Sequence, residues 1–209
     1  MTSTMPSPMR ILGSISPDEV TATFLSGDLE SPRFRERLLA LLRADRVHAS
    51  LVAEPDLADT EANAYRRALL ARHHEWLAGP HVFGSFPEGL RWSRAALTPD
   101  EVLAIRYIDW DWWLRISGGS RSPVEAAKRL RNGEVPGGSA EEHEPIARRL
   151  GSSNPPPALI VVGPANLARL VVIEGHVRLT AYALFPELLP EELEVLLGVS
   201  DEIEQWSLF

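Results

Sequence analysis

Glu174-Gly175-His176-Val177-Arg178 places a carboxylate, an imidazole and a guanidinium within five residues. A carboxylate can accept a proton or hold a cation, an imidazole can donate or accept a hydrogen bond, and a guanidinium grips phosphate through a planar fork. Their position along the chain matters as much as their types. Leu170-Val171-Val172-Ile173 is a continuous apolar run that reads as a buried strand, and Val177, Ala181 and Leu184 follow at helical spacing. A strand turning sharply into a helix leaves the first helical N–H groups unpaired, and Gly175 allows close approach to the backbone. An anion site is expected here, with Glu174 and His176 as its acid–base groups.

A second candidate turn is Gly118-Gly119-Ser120-Arg121, followed by the helix start Ser122-Pro123-Val124-Glu125. Backbone amides at Gly119, the Ser120 hydroxyl and the Arg121 fork can together cradle a phosphate, although the spacing is not that of a Walker loop. Just before it, Asp109-Trp110-Asp111-Trp112-Trp113 interleaves two carboxylates with three indoles. Either the indoles pack a junction, or one walls a ligand pocket while Asp109 or Asp111 faces the chemistry. His73-His74 is a poor chelating pair, because adjacent helical positions diverge by about a third of a turn; two histidines near a helix C-terminus suit the helix dipole without any ligand. The cluster Glu141-Glu142-His143-Glu144 reads as a solvated acidic loop.

The elements that must position these groups are readable in outline. Residues 1–10, rich in Ser, Thr and Pro, are expected to be loose. Ser16-Pro17-Asp18-Glu19 starts a capped helix through Phe24 and Leu25, and Ser31-Pro32 starts another with Phe34, Leu38, Leu41 and Leu42 as its apolar stripe. Residues 49–57 suggest a short strand or a buried loop, and 60–77 a third helix closed by Gly79-Pro80. A boundary at about residue 80 separates an N-terminal helical region, 1–80, from a domain over 81–209. Within the latter, residues 90–97 predict a strand with Trp92 facing inward, and Thr98-Pro99-Asp100-Glu101 a capped helix. Residues 134–157 predict a mobile loop or lid with a small helix at 142–150. Strands at 158–162 and 169–173 form an antiparallel hairpin, and a last strand at 193–197 precedes a polar tail containing Trp206. This is an α+β fold: a small mixed or antiparallel sheet with flanking helices, preceded by a helical extension.

Composition narrows the function. With 209 residues and 44% hydrophobic content, the chain can build a real core. Its formal charge of −8 speaks against a broad nucleic-acid surface. The absence of cysteine removes disulfides, thiolate catalysis and cysteine-bound metal sites together. Neither a signal-peptide pattern nor a membrane-length apolar run is present, so a cytoplasmic protein is expected.

The stretch resembles the ParB/sulfiredoxin superfamily, whose signature is an apolar hairpin strand, then Gly-x-x-Arg-x-x-Ala opening a helix, then a short strand. Gly175, Arg178 and Ala181 match it, with residues 193–197 as the following strand. The likeness covers about the last fifty residues and extends loosely back to about residue 90. Sulfiredoxins carry a catalytic cysteine after the glycine, where His176 stands here, so sulfinic-acid reduction is excluded. ParB proteins resemble Gly-Glu-Arg-Arg-x-Arg-Ala; His176, Val177 and Thr180 depart from that pattern, and no helix-turn-helix pattern follows. The acidic-Gly-His-x-Arg version resembles the small-molecule kinases of this superfamily, such as free serine kinases. That likeness implies nucleotide phosphates held at the helix start by Gly175, Arg178 and Thr180, and a carboxylate acting as base toward a substrate hydroxyl.

The expected function is thus a nucleotide-dependent small-molecule phosphotransferase or nucleotide hydrolase using ATP or ADP with Mg²⁺. Glu174, His176, Asp109 and Asp111 are its candidate catalytic groups, and Gly119, Ser120 and Arg121 a second phosphate-binding turn. The alternatives are a catalytically silent nucleotide-binding module and, further off, a ParB-like nucleic-acid binder.

Overall fold

A computed structural model describes residues 9–74 and 86–209. In chain order the elements are β1 (Arg10–Ser14), α1 (Pro17–Glu30), α2 (Arg35–Ala44), α3 (Ser50–Ala53), α4 (Thr60–His74), β2 (Arg91–Leu97) and α5 (Pro99–Ala104). They continue with α6 (Asp111–Ile116), α7 (Pro123–Arg131), α8 (Glu144–Arg148), β3 (Leu159–Gly163), β4 (Val171–Glu174), α9 (His176–Leu184) and β5 (Leu193–Val199). The fold is α+β. Its five-stranded mixed sheet has the order β1-β2-β5-β3-β4, antiparallel throughout except for the central β3–β5 pair.

Alternation along the strands divides the core into two layers. Leu159 and Val161 of β3, Val172 of β4, and Val195 and Leu197 of β5 face one side, where α5, α7, α8 and α9 cover them. Ile160, Val162, Val171, Ile173 and Leu196 face the other, against Val20, Phe24 and Leu25 of α1, Leu38 of α2 and Leu69 of α4. A sheet covered on both faces explains why β3 is apolar at every position. Hydrophobic packing therefore runs across residue 80, joining the N-terminal helices directly to the sheet. The edge of β4 is closed in part by Arg106, whose amide donates to Leu170 and whose carbonyl accepts from Val172.

Local signals placed three helix starts well, whereas Ser31-Pro32 does not open α2: Ser31 is the C-cap of α1, residues 32–34 form a turn, and α2 begins at Arg35. Ser16 and Ser122 accept from the amides of Glu19 and Glu125, and Thr98 forms a full capping box with Glu101. Elsewhere tertiary context prevailed. Arg10–Ser14, partly within the stretch expected to be loose, is an edge strand exposed at all five positions, so no alternation betrays it. Residues 49–57 hold the helical turn α3, anchored by buried Val52, rather than a strand. The segment 134–157 is seated on the molecule rather than forming a free lid: short helical turns over 141–151 lie against α9, and Val135 and Ala147 are buried. The tail is not polar in its packing either, since Ile203, Trp206, Leu208 and Phe209 join the core. The last residues of the expected 60–77 helix and its Gly79-Pro80 stop fall outside the described residues. Among the described residues, no helix is long and apolar enough to cross a membrane.

Candidate functional site

β4 delivers Glu174 to the end of the sheet, and Gly175 makes the turn with φ 99° and ψ 22°, a left-handed conformation that glycine adopts without strain. No side-chain oxygen caps the helix that follows. One turn on, Arg178 folds back so that its Nη2 donates to Glu174 Oε1 at 3.0 Å. Both side chains are largely buried, at 10% exposure for Arg178 and 16% for Glu174. Burial raises the Glu174 pKa, opposed by the positive charge of Arg178 and reinforced by Asp28. Arg178 Nε has no hydrogen-bond partner among the described residues, nor does the buried Nε2 of His176.

His176 is held by its ring. It stacks on Trp113 with centroids 4.7 Å apart and planes 15° apart, and Tyr107 stacks on the same indole at 4.9 Å. Burial, aided by Arg178, lowers the His176 pKa to about 3, so the imidazole is neutral near pH 7. Thr180 is turned inward: its hydroxyl donates to the His176 carbonyl at 2.9 Å and accepts from the Tyr107 hydroxyl at 2.7 Å. Of the tryptophan cluster, Trp113 therefore forms a wall of the turn, while Trp110 and Trp112 stay exposed.

The N-terminal helices reach the same turn. Gly27, inside α1, lies so close that a Cβ there would stand 2.5 Å from Glu174 Oε1. A helix-interior glycine lowers helix propensity, and here it permits that approach. Its neighbour Asp28 is 1% exposed and meets the end of α4. His74 Nε2 is 2.8 Å from Asp28 Oδ2, and His73 Nε2 is 3.6 Å from the same oxygen. Burial raises the Asp28 pKa against the lowering effects of His74 and Arg178. Glu174, Arg178, Asp28, His74 and His73 thus form one continuous polar cluster, drawn from α1, α4 and the β4–α9 turn. Asp28 was not singled out in the sequence, and the glycine interrupting α1 beside it is the signal that marks it. The two histidines converge despite their divergent helical directions because Asp28 approaches from a separate helix.

The other predicted groups lie elsewhere. Arg121, at φ 59°, uses its guanidinium internally: Nε donates to the Tyr107 carbonyl at 2.8 Å, Nη1 to the Phe209 main-chain oxygen at 2.6 Å and Nη2 to the Leu208 carbonyl at 3.1 Å. The Ser120 hydroxyl donates to the Ser117 carbonyl and accepts from the Ser122 amide, while Gly119 supplies a left-handed turn at φ 83°. Asp109 is half-exposed, 3.9 Å from Arg121, and Asp111 is exposed at the start of α6. The structure brings Glu174, Gly175, His176, Arg178 and Thr180 together; Tyr107 and Trp113 link them to the Arg121 turn, whose polar groups are already paired.

A cleft of about 610 Å³ opens beside α1, lined in part by Ser26, Glu30, Pro156, Tyr182 and Leu193 but not by Glu174, His176 or Arg178. Ser26 and Glu30 flank Gly27 and Asp28 on α1, and Tyr182 follows Arg178 by one turn of α9, so the cleft and the polar cluster share both helices. Comparison with known proteins gives no match to any family model, curated protein or solved structure.

Proposed function

We propose that the Glu174–Arg178 turn binds the phosphates of ATP or ADP and that the chain transfers a phosphoryl group to a small molecule. The observation that carries this reading is the pair of buried ring and guanidinium nitrogens, Arg178 Nε and His176 Nε2, that have no partner among the described residues, beside an uncapped helix start. Arg178 Nε–H needs an acceptor, and a phosphoryl oxygen is one. Neutral His176 can donate from Nε2 to a second oxygen. Glu174 takes the base role ahead of Asp109 and Asp111, because it is the carboxylate beside Arg178 and its raised pKa suits proton acceptance from a hydroxyl.

In the transfer, the acceptor oxygen forms a bond to phosphorus as the bond to the leaving nucleotide oxygen breaks, and the acceptor proton passes to Glu174. Mg²⁺ in this reading accompanies the nucleotide and offsets its charge. The likeness of Gly175, Arg178 and Ala181 to the ParB/sulfiredoxin signature supports the assignment. The Arg178–Glu174 ion pair favours one competing reading, a silent nucleotide-binding module, because it occupies the base.

A thermal-shift screen of ATP, ADP and GTP with and without Mg²⁺ tests binding. A nucleotide at about 100 times its dissociation constant should raise Tm by roughly 5–10 °C, and Arg178→Lys should abolish the rise. Loss of the terminal phosphate in the presence of acceptor extracts then separates a transferase from a silent module. No shift with any nucleotide at millimolar concentration overturns both.

A further inference from the structure

Independently of the nucleotide reading, we propose that Asp28, His73 and His74 form a site for a divalent transition metal of the zinc type. One carboxylate oxygen and two imidazole nitrogens, all within 4.8 Å of one another, provide the nitrogen and oxygen donors that such an ion takes. Ligand atoms around a tetrahedral zinc at about 2.0–2.1 Å stand about 3.3 Å apart. The observed 2.8 and 3.6 Å from Asp28 Oδ2 to the two Nε2 atoms bracket that spacing.

A second observation points to a ligand. Asp28 Oδ1 and both ring nitrogens of His73 are buried without a hydrogen-bond partner among the described residues, on side chains 1% and 0% exposed. Orphaned acceptors of this kind are costly in a closed interior, and a cation satisfies the carboxylate and an imidazole lone pair together. Phe24 meets His74 edge-on at 5.2 Å, and Phe34 meets His74 at 4.8 Å, giving the donors a largely apolar surround. His74, 16% exposed, marks the side open to solvent and to a non-protein ligand.

The test uses the full chain stripped with a chelator and titrated with Co²⁺ as a spectroscopic stand-in for Zn²⁺. One equivalent should develop visible d–d absorption, zinc should displace it, and zinc at about 100 times its dissociation constant should raise Tm by roughly 5–10 °C. Asp28→Asn and His74→Gln should each lose the cobalt spectrum and the shift, while His48→Gln, outside the cluster, should keep both. Because Asp28 is fully buried, its variant can fail to fold; His74→Gln, at the more exposed position, keeps the test decisive. Absence of a cobalt spectrum in the folded wild type, or a spectrum that survives His74→Gln, overturns the site. No nucleotide enters these readouts, so failure here leaves the phosphotransferase reading standing.

Discussion

Two glycine-bearing turns enter helices in this molecule, each carrying an arginine, and they use it in opposite ways. At the Gly118–Arg121 turn, three guanidinium nitrogens donate to main-chain oxygens, two of them in the C-terminal segment, and the serine hydroxyl closes the turn itself. At the Glu174–Arg178 turn, one guanidinium nitrogen holds a carboxylate and another has no partner among the described residues, beside an imidazole nitrogen in the same condition. The first arginine fastens the chain; the second is left with capacity for a ligand. Charge and glycine are common to both, and what distinguishes them is whether the donors already have acceptors.

The contrast is most directly broken at the arginines. Arg178→Ala leaves Glu174 buried without its countercharge and should cost about 4 kcal/mol of stability, with complete loss of any nucleotide-induced Tm shift. Arg121→Ala orphans main-chain oxygens and should cost about 3 kcal/mol while preserving that shift. Urea denaturation paired with the nucleotide thermal shift reads both quantities, and loss of the shift in Arg121→Ala would erase the distinction.

The glycines sharpen it next. A Cβ at Gly175 would stand 2.5 Å from Leu159 Cδ2 and 2.9 Å from Arg178 Nη2, on a backbone at φ 99°; Gly175→Ala should cost about 3 kcal/mol from strain and overpacking. Gly119→Ala has the same kind of backbone but open space around it, so its cost should be near 1 kcal/mol. Equal midpoints in denaturant would show that the Glu174–Arg178 turn is no more tightly enclosed than the Gly118–Arg121 turn.

The smallest effect is in pH. His176 takes up its proton near pH 6.5 when unfolded but only near pH 3 when folded. Between those values the unfolded chain holds more protons, so this residue makes stability fall as pH falls. Its contribution should be about 1 kcal/mol between pH 6.5 and 5.5. Glu174, with its raised pKa, acts in the opposite sense above its ordinary 4.5. The check is therefore the difference in slope between wild type and His176→Asn in pH-dependent denaturation. Parallel slopes would mean that the imidazole is solvated rather than enclosed.

How much of this was legible beforehand follows from the range of the forces involved. Helix starts and the β3–β4 hairpin are written in contiguous residues: Ser16, Thr98 and Ser122 satisfy amides three positions away, and the apolar runs of β3 and β4 record burial on both faces. The Glu174–Arg178 pairing was likewise local, one helical turn apart. By itself the sequence determined an α+β chain with a charged, glycine-hinged turn at the head of a helix. Only tertiary structure decided that Arg121 has its acceptors at the far end of the chain, that β1 joins the sheet despite an exposed sequence, and that Asp28 meets His73 and His74 across more than forty residues. Those contacts depend on which helix faces come together, and Gly27 sets one of them by letting α1 lie against Glu174, a closeness that no neighbouring residue encodes.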